Sequence, residues 1–445
     1  MDSLSSGQAT AILCLVIIVS TSFILLISLN VPSDQTSSYS TSVILMIGDG
    51  MGYEHVKLAR WVEVGADGNL SMEVQLPRFW MTTCSTDSNI TDSAAAATAF
   101  ATGFKTNNGM LSVDSNGNQL KTITEIAHEL LKTNGVISTC SVQHATPAAF
   151  MSHVADRLNT SSITEQIVSE ANIDVIMGGG SSYFDSNSLD TMKTLGYSVV
   201  RTSDSLSSIS KGSVLGLFAW SHMSYERLRD FESEPSLADM TRKSLEILSQ
   251  NDYGFFLMVE GGKIDLASHE NNEVDAALDT IAFCEAVATA LEFARGNPDI
   301  IVIVTADHET GGLTVLDSDL NDNIPNISYT QEQNRTLRIS RVNNITVDWS
   351  STDHTPRQMP VYCYGEAFAS LPYNVTIDNV DIFTMMNSWL TTGEVTMPIL
   401  TNMQACLPYL VTILPELPLL VFTNQTRNTV ITRYVNEIEK SEWKT

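Results

Sequence analysis

Short apolar runs rich in Val and Ile recur along the chain, and most of them end in glycine or an acid. "SVILMIGDG" (42–50), "GVISTCSV" (135–142), "IDVIMGGG" (173–180), "YGFFLMVEGG" (253–262) and "DIIVIVTADHETGG" (299–312) are of this kind. Runs that are apolar at successive rather than alternate positions predict strands buried on both faces. Between them lie stretches with a helical period, such as "TITEIAHELLKT" (122–133), which predicts an amphipathic helix. Strands alternating with helices predict an α/β fold, a three-layer α/β/α sandwich with a large, mostly parallel central β-sheet. Ligands of such sheets bind at the carboxyl ends of the strands. The pattern runs from residue 42 to "DIFTMMNSWL" (381–390) without an internal repeat, so residues 42–390 form the folded domain.

The ends of the chain read differently. "AILCLVIIVSTSFILLISL" (11–29) carries no charge and, at about 1.5 Å per residue, nearly spans a bilayer core of roughly 30 Å. No Lys or Arg precedes Lys57, so the basic segment of a secretory signal is missing. Residues 1–30 therefore read as a transmembrane signal-anchor in preference to a cleaved signal peptide, followed by a polar linker at 31–41. Residues 391–445 form an apolar extension containing Pro398, Pro408, Pro415 and Pro418. Those prolines break a membrane helix, so the segment is expected to pack on the domain or lie against a membrane.

Either reading of the N-terminus puts the domain outside the cytoplasm, membrane-anchored or secreted. The eight N-x-[ST] triplets, four of them between Asn326 and Asn374, agree with a glycoprotein in that location. Six scattered cysteines, with no C-x-x-C pair, indicate neither a zinc finger nor a disulfide framework, and leave room for one disulfide. A net charge of -27, from 24 basic against 51 acidic residues, argues against nucleic acid as a partner.

The chemistry-bearing residues sit at the strand ends. Asp49 follows the first run, hemmed by Gly48, Gly50 and Gly52. A carboxylate buried there without a partner is costly, so a cation or a backbone turn is expected beside it. In "VEGGKIDLASHE" (259–270), Glu260 closes a strand, and Asp265 and His269 share one face if the segment from Asp265 is helical. In "TADHETGG" (305–312), the neighbours Asp307 and His308 can serve one metal only where the strand has already turned. His354 lies in "STDHTP". Each of these is, taken singly, a plausible cap or turn former, but together they make an imidazole and carboxylate set without thiolate, which suits catalytic zinc and magnesium. Ser93 opens the alanine-rich helix of "NITDSAAAATAFATG" (89–103). In isolation it reads as an N-cap, yet the same geometry aims the positive helix end at its hydroxyl.

Those motifs resemble the alkaline phosphatase family. "IGDGMG", "TDSAAAATA", "HATPAAFMSHVADR", "VEGGKID", "TADHETGG" and "DHT" occur in the family's order over nearly all of residues 42–390. The resemblance implies two zinc ions, one on Asp265, His269 and His354 and the other on Asp307, His308 and Asp49. It implies one magnesium ion on Asp49, Thr146 and Glu260. Ser93 would be the nucleophile that becomes a phosphoserine, Arg157 the phosphate clamp, and His144 a further substrate-side group. It also implies phosphate monoesters as substrates and a homodimer. Leu266, next to Asp265, departs from the family, whose forms carry Lys, His or Trp near the phosphate at that place.

Three other readings compete. A sulfatase needs a C-x-P-x-R segment that the stretch around Ser93 lacks. A phosphodiesterase of the same superfamily would use a threonine and lack the third metal and the arginine clamp, which Thr146, Glu260 and Arg157 argue against. A non-catalytic, membrane-anchored metal- or phosphate-binding protein would leave Ser93 as a helix cap alone.

Overall fold

The structure is a computed structural model and describes residues 40–74, 77–318 and 330–396. β1 (Ser42–Gly48) is buried at all seven positions. It can be so because parallel neighbours flank it on both edges, β7 (Phe255–Gly261) and β8 (Ile300–Thr305). Beyond β7 come β3 (Thr133–Ser141), β4 (Val175–Gly179), β6 (Val214–Leu217) and the edge strand β5 (Ser198–Val200). On the other side of β8 lie β13 (Met359–Tyr364), β2 (Phe79–Thr82) and β14 (Val375–Asp378). The ten strands run in the order β14-β2-β13-β8-β1-β7-β3-β4-β6-β5, and β13 alone opposes its neighbours. This is the expected mostly parallel sheet.

Helices cover the sheet on both faces. Ser93–Thr102 packs on Ala145–Ala149 and on Val380–Thr392, which lies against β1. The long helix Glu273–Ala294 packs on Tyr53–Glu63, Leu237–Leu248 and the strands β7 and β8. Two small ribbons stand outside the sheet: β9 (Glu309–Thr310) with β12 (His354–Thr355), and β10 (Leu313–Ser318) with β11 (Ile345–Trp349).

Two boundaries differ from expectation. The helix expected over 122–133 starts at its Thr122 capping box but ends at Glu129. Leu131 turns into the left-handed region, at φ 61°, and the Lys132 ammonium is drawn onto the carbonyls of Thr41 and Tyr253. That anchor pulls the chain off the helix axis and into β3, two residues earlier than the apolar run suggested. The run at 299–312 is two strands, not one, because β8 ends at Thr305 and β9 pairs with β12 instead. Cys84, Cys140, Cys284 and Cys363 are free thiols, so the described residues contain no disulfide. The apolar segments at 11–29 and 397–422 lie outside the described residues; among the described ones no helix is long and apolar enough to cross a membrane.

Candidate active site

The register of the central strands assembles the site. Ile47 of β1 pairs with Glu260 of β7 on one side and Thr305 of β8 on the other, while Ser138 of β3 also pairs with Glu260. Asp49, one residue past β1, therefore meets Glu260 and the turn that follows Thr305 at a single carboxyl edge. In that turn Asp307 and His308 have left the ladder, which frees neighbours in sequence to face one point. Gly50 holds the turn after Asp49 at φ 68°, and its N–H donates to Asp307 Oδ1 at 3.1 Å. Past β7 the chain enters the helix Lys263–His269, where Asp265 and His269 are one turn apart, with His269 Nε2 3.4 Å from Asp265 Oδ2. The β9–β12 ribbon brings His354 onto this group, its Nε2 3.1 Å from that of His269 and 3.8 Å from Asp265 Oδ1.

Three sets of side chains place ligand atoms within 4.8 Å of one another: Asp265, His308 and His354; Asp49, Asp307 and His308; and Asp49, His144 and Glu260. Asp49 belongs to two of them, as expected of a bridging carboxylate. The first set unites two of the expected zinc ligands, Asp265 and His354, with His308 in the place of His269; His269 lies outside all three sets, although its Nε2 is close to Asp265 and His354. Both Asp49 oxygens, Asp307 Oδ2, Glu260 Oε1, Thr146 Oγ1 and His144 Nδ1 are buried without a hydrogen-bond partner. Buried polar atoms are almost always satisfied, so orphans concentrated at one point mark a place for cations. The donor set of oxygen and imidazole nitrogen fits zinc and magnesium.

Electrostatics agree with the geometry. Burial, reinforced by Asp307, Asp265 and Glu260, holds the Asp49 carboxyl far above its ordinary value. Burial likewise pushes Asp307 and Glu260 up to about 7 in the absence of a cation. For Asp265, burial acts upward but loses to the hydrogen bond from His269 and to the cluster of imidazoles around it, so its carboxyl lies low. The hydrogen bond that His269 donates to Asp265 raises His269 to about 9. Burial, with His354 beside it, keeps the His308 ring neutral.

Ser93 occupies the first turn of the helix Ser93–Thr102, but it is not the cap. Asp92 is: its side chain accepts the Ala95 N–H at 3.0 Å. Ser93 Oγ is thereby left for other work and lies 3.1 Å from His308 Nε2. Asp92 also receives Arg157 Nη1 at 2.9 Å and the Gly109 N–H at 3.1 Å, which orients the guanidinium beside Ser93. Arg157 Nη2 lies 3.3 Å from His144 Nε2. Burial and Arg157 depress His144 to about 3, so its ring is neutral near pH 7.

Seven of the expected residues (Asp49, His144, Glu260, Asp265, Asp307, His308 and His354) share the three sets, and Ser93, Arg157 and His269 touch them through His308, His144 and His354. Two further residues stand at the site: His222, packed edge-on against His144 at 5.5 Å, and Glu309 of β9, which Thr355 of β12 and Arg357 hold in place. His222 sits in a loop with no motif around it, so nothing in the sequence marked it. Glu309 lies within "TADHETGG", where an acid among metal ligands was the available signal.

The family described as Alkaline phosphatase matches residues 40–337. Alkaline phosphatase 4 of Bacillus subtilis is 34% identical over 417 residues, covering 79% of this chain and 89% of its own length. The alkaline phosphatase of Escherichia coli is 32% identical, over 78% of this chain and 86% of its own. Among solved structures, a cold-active alkaline phosphatase from a psychrophilic Shewanella superposes with a TM-score of 0.69 at 29% identity, covering 78% of this chain and 99% of that one.

Proposed function

This chain belongs to the alkaline phosphatase family and hydrolyses phosphate monoesters, and we propose that it does so through a phosphoserine on Ser93 at a site for two zinc ions and one magnesium ion. The observation that carries this reading is the convergence of unpartnered buried oxygens from Asp49, Asp307 and Glu260 beside Ser93. Asp265, His269 and His354 would hold one zinc, Asp307, His308 and Asp49 the other, and Asp49, Glu260 and Thr146 the magnesium. Bound divalent cations supply charge neutralisation and activation of the serine hydroxyl.

The protein's own groups do the rest. The N-terminal turn of the helix Ser93–Thr102 presents backbone N–H groups and the positive helix end to an anion at Ser93. Arg157, steadied by Asp92, offers a fork that pairs with two phosphoryl oxygens. Ser93 Oγ forms a bond to phosphorus as the ester P–O bond breaks, and the alcohol leaves with a proton. Water then attacks the phosphoserine, releases phosphate and restores the hydroxyl. Arg157 and the helix end face the same oxygens in both steps, so one arrangement serves both.

The test is hydrolysis of p-nitrophenyl phosphate at alkaline pH by the wild type and Ser93→Ala, with chelation and metal add-back. The expected result is loss on chelation, recovery with zinc and magnesium, and a fall of roughly 10⁴-fold or more for the variant. A Ser93→Ala enzyme that keeps wild-type turnover contradicts the phosphoserine. We further propose that residues 11–29 anchor the domain outside the cytoplasm. Fractionation of the full chain should place it in membranes resistant to carbonate extraction, and recovery in the soluble fraction contradicts the anchor.

A further inference from the structure

Thr310 is fully buried two residues past His308, and four segments of the site meet on it. Its backbone N–H donates to Gly50 O at 3.1 Å, tying β9 to the turn after Asp49. Its backbone pairs with His354 in the β9–β12 ribbon. Its hydroxyl donates to Asp265 Oδ1 at 2.6 Å and lies 3.2 Å from His308 Nδ1. The hydroxyl has one proton. A carboxylate oxygen can only accept, so that proton belongs to the Asp265 bond, and a lone pair of Oγ1 is left facing His308. The hydrogen bond to His308 then requires that Nδ1 carry the ring proton. Nε2 is thereby left as the bare nitrogen, and Nε2 is the atom that faces Ser93 at 3.1 Å, Asp307 Oδ2 at 3.3 Å and Asp49 Oδ1 at 3.5 Å.

We infer that Thr310 is a positioning residue for the metal centre, whose single hydroxyl sets the Asp265 carboxylate and the His308 tautomer together and so couples the two zinc sites. Gly50 fits the same account. A Cβ at Gly50 would stand 2.7 Å from Thr310 Oγ1 and 2.8 Å from Asp265 Oδ1, at the hydrogen bond itself. The glycine after Asp49 therefore clears space for that bond as well as for the turn. The inference rests on reading Asp265, His308 and His354 as metal ligands.

The experiment compares Thr310→Val, Thr310→Ala and Thr310→Ser with the wild type, all as full-length protein loaded with zinc. Release of zinc to a chromophoric chelator is followed, and circular dichroism reports the fold. Partners of this kind are worth about 10–100-fold in metal affinity. Thr310→Val and Thr310→Ala should release zinc about 10–100-fold more readily, with unchanged secondary structure, while Thr310→Ser should stay within about threefold of the wild type. The Ala and Ser pair isolates the hydroxyl should the valine variant fail to fold. Wild-type zinc retention in Thr310→Ala overturns the inference, and so does equal weakening by Ala and Ser, because the methyl group would then be what matters. A wild type that itself retains no zinc contradicts the metal-site reading, a different result from either of these.

Discussion

Asp49 and Asp275 are both shut off from solvent, at 0% and 1% exposure, and the fold treats them in opposite ways. Asp275, near the start of the helix Glu273–Ala294, is fully partnered. Arg227 reaches it with Nε at 2.7 Å and Nη2 at 3.0 Å, and Asn272 donates from its side chain at 2.8 Å. Asp49 accepts no hydrogen bond at either oxygen, and its neighbours are more carboxylates. One position is a finished structural ion pair. The other is electrostatically incomplete until positive charge arrives. A buried charge is thus informative through its partners rather than through its burial.

The contrast can be broken by substitution, and the largest effect belongs to Asp49. Asp49→Asn should lower kcat/KM by about three orders of magnitude, the scale of losing a principal charge-stabilising group. The same change should raise the melting temperature of the chelated protein by about 2 °C, because an unpaired buried carboxyl has been removed. Calorimetry with and without chelator checks this, and a loss of stability in the chelated form would mean that Asp49 has a protein partner. Asp275→Ala should do the reverse. It should cost about 2 kcal/mol in metal-loaded and chelated protein alike while kcat/KM stays within about twofold, since Arg227 is exposed enough to rehydrate.

The smallest effect sharpens the same point at a partly exposed pair, Glu125 and His153, whose Oε2 and Nε2 lie 3.5 Å apart. Burial acts upward on Glu125, but the hydrogen bond with His153 and the Thr122 cap hold it at about 2. Burial acts downward on His153, but hydrogen bonds to Glu125 and the Ser112 carbonyl, with the charges of Glu125 and Glu170, raise it above its ordinary 6.5. The Glu125 share of the stabilisation is lost as pH falls from 4.5 towards 2, and the His153 share as pH rises from 6.5 through the higher folded value. Urea unfolding from pH 3 to 9 should show a stability maximum of under about 1 kcal/mol from this pair between those limits, absent in Glu125→Gln.

Much of this was legible in the sequence. Consecutive apolar residues mark β1, β7 and β8 as central parallel strands, and the acid that ends each one points to the carboxyl edge. The four-residue spacing of Asp265 and His269 needs only a helix to bring them together, and the glycines after His308 announce the turn. What escaped depends on partners remote in sequence. Which of Asp92 and Ser93 caps the helix is settled by Arg157 and Gly109, which draw Asp92 into place. Lys132 ends the helix begun at Thr122 by reaching carbonyls at residues 41 and 253. Thr310 lies inside the motif that names His308, and nothing there signals that its hydroxyl crosses to Asp265. The antiparallel placement of β13 between β8 and β2 is likewise a matter of pairing rather than pattern.

Elemental analysis of the purified, active protein, beside its Asp49→Asn variant, reports whether Asp49 stands between bound cations. Zinc and magnesium should be bound in a ratio of about two to one in the wild type, with the variant losing at least one ion. Fully active wild-type protein carrying less than one divalent ion per chain would contradict that placement.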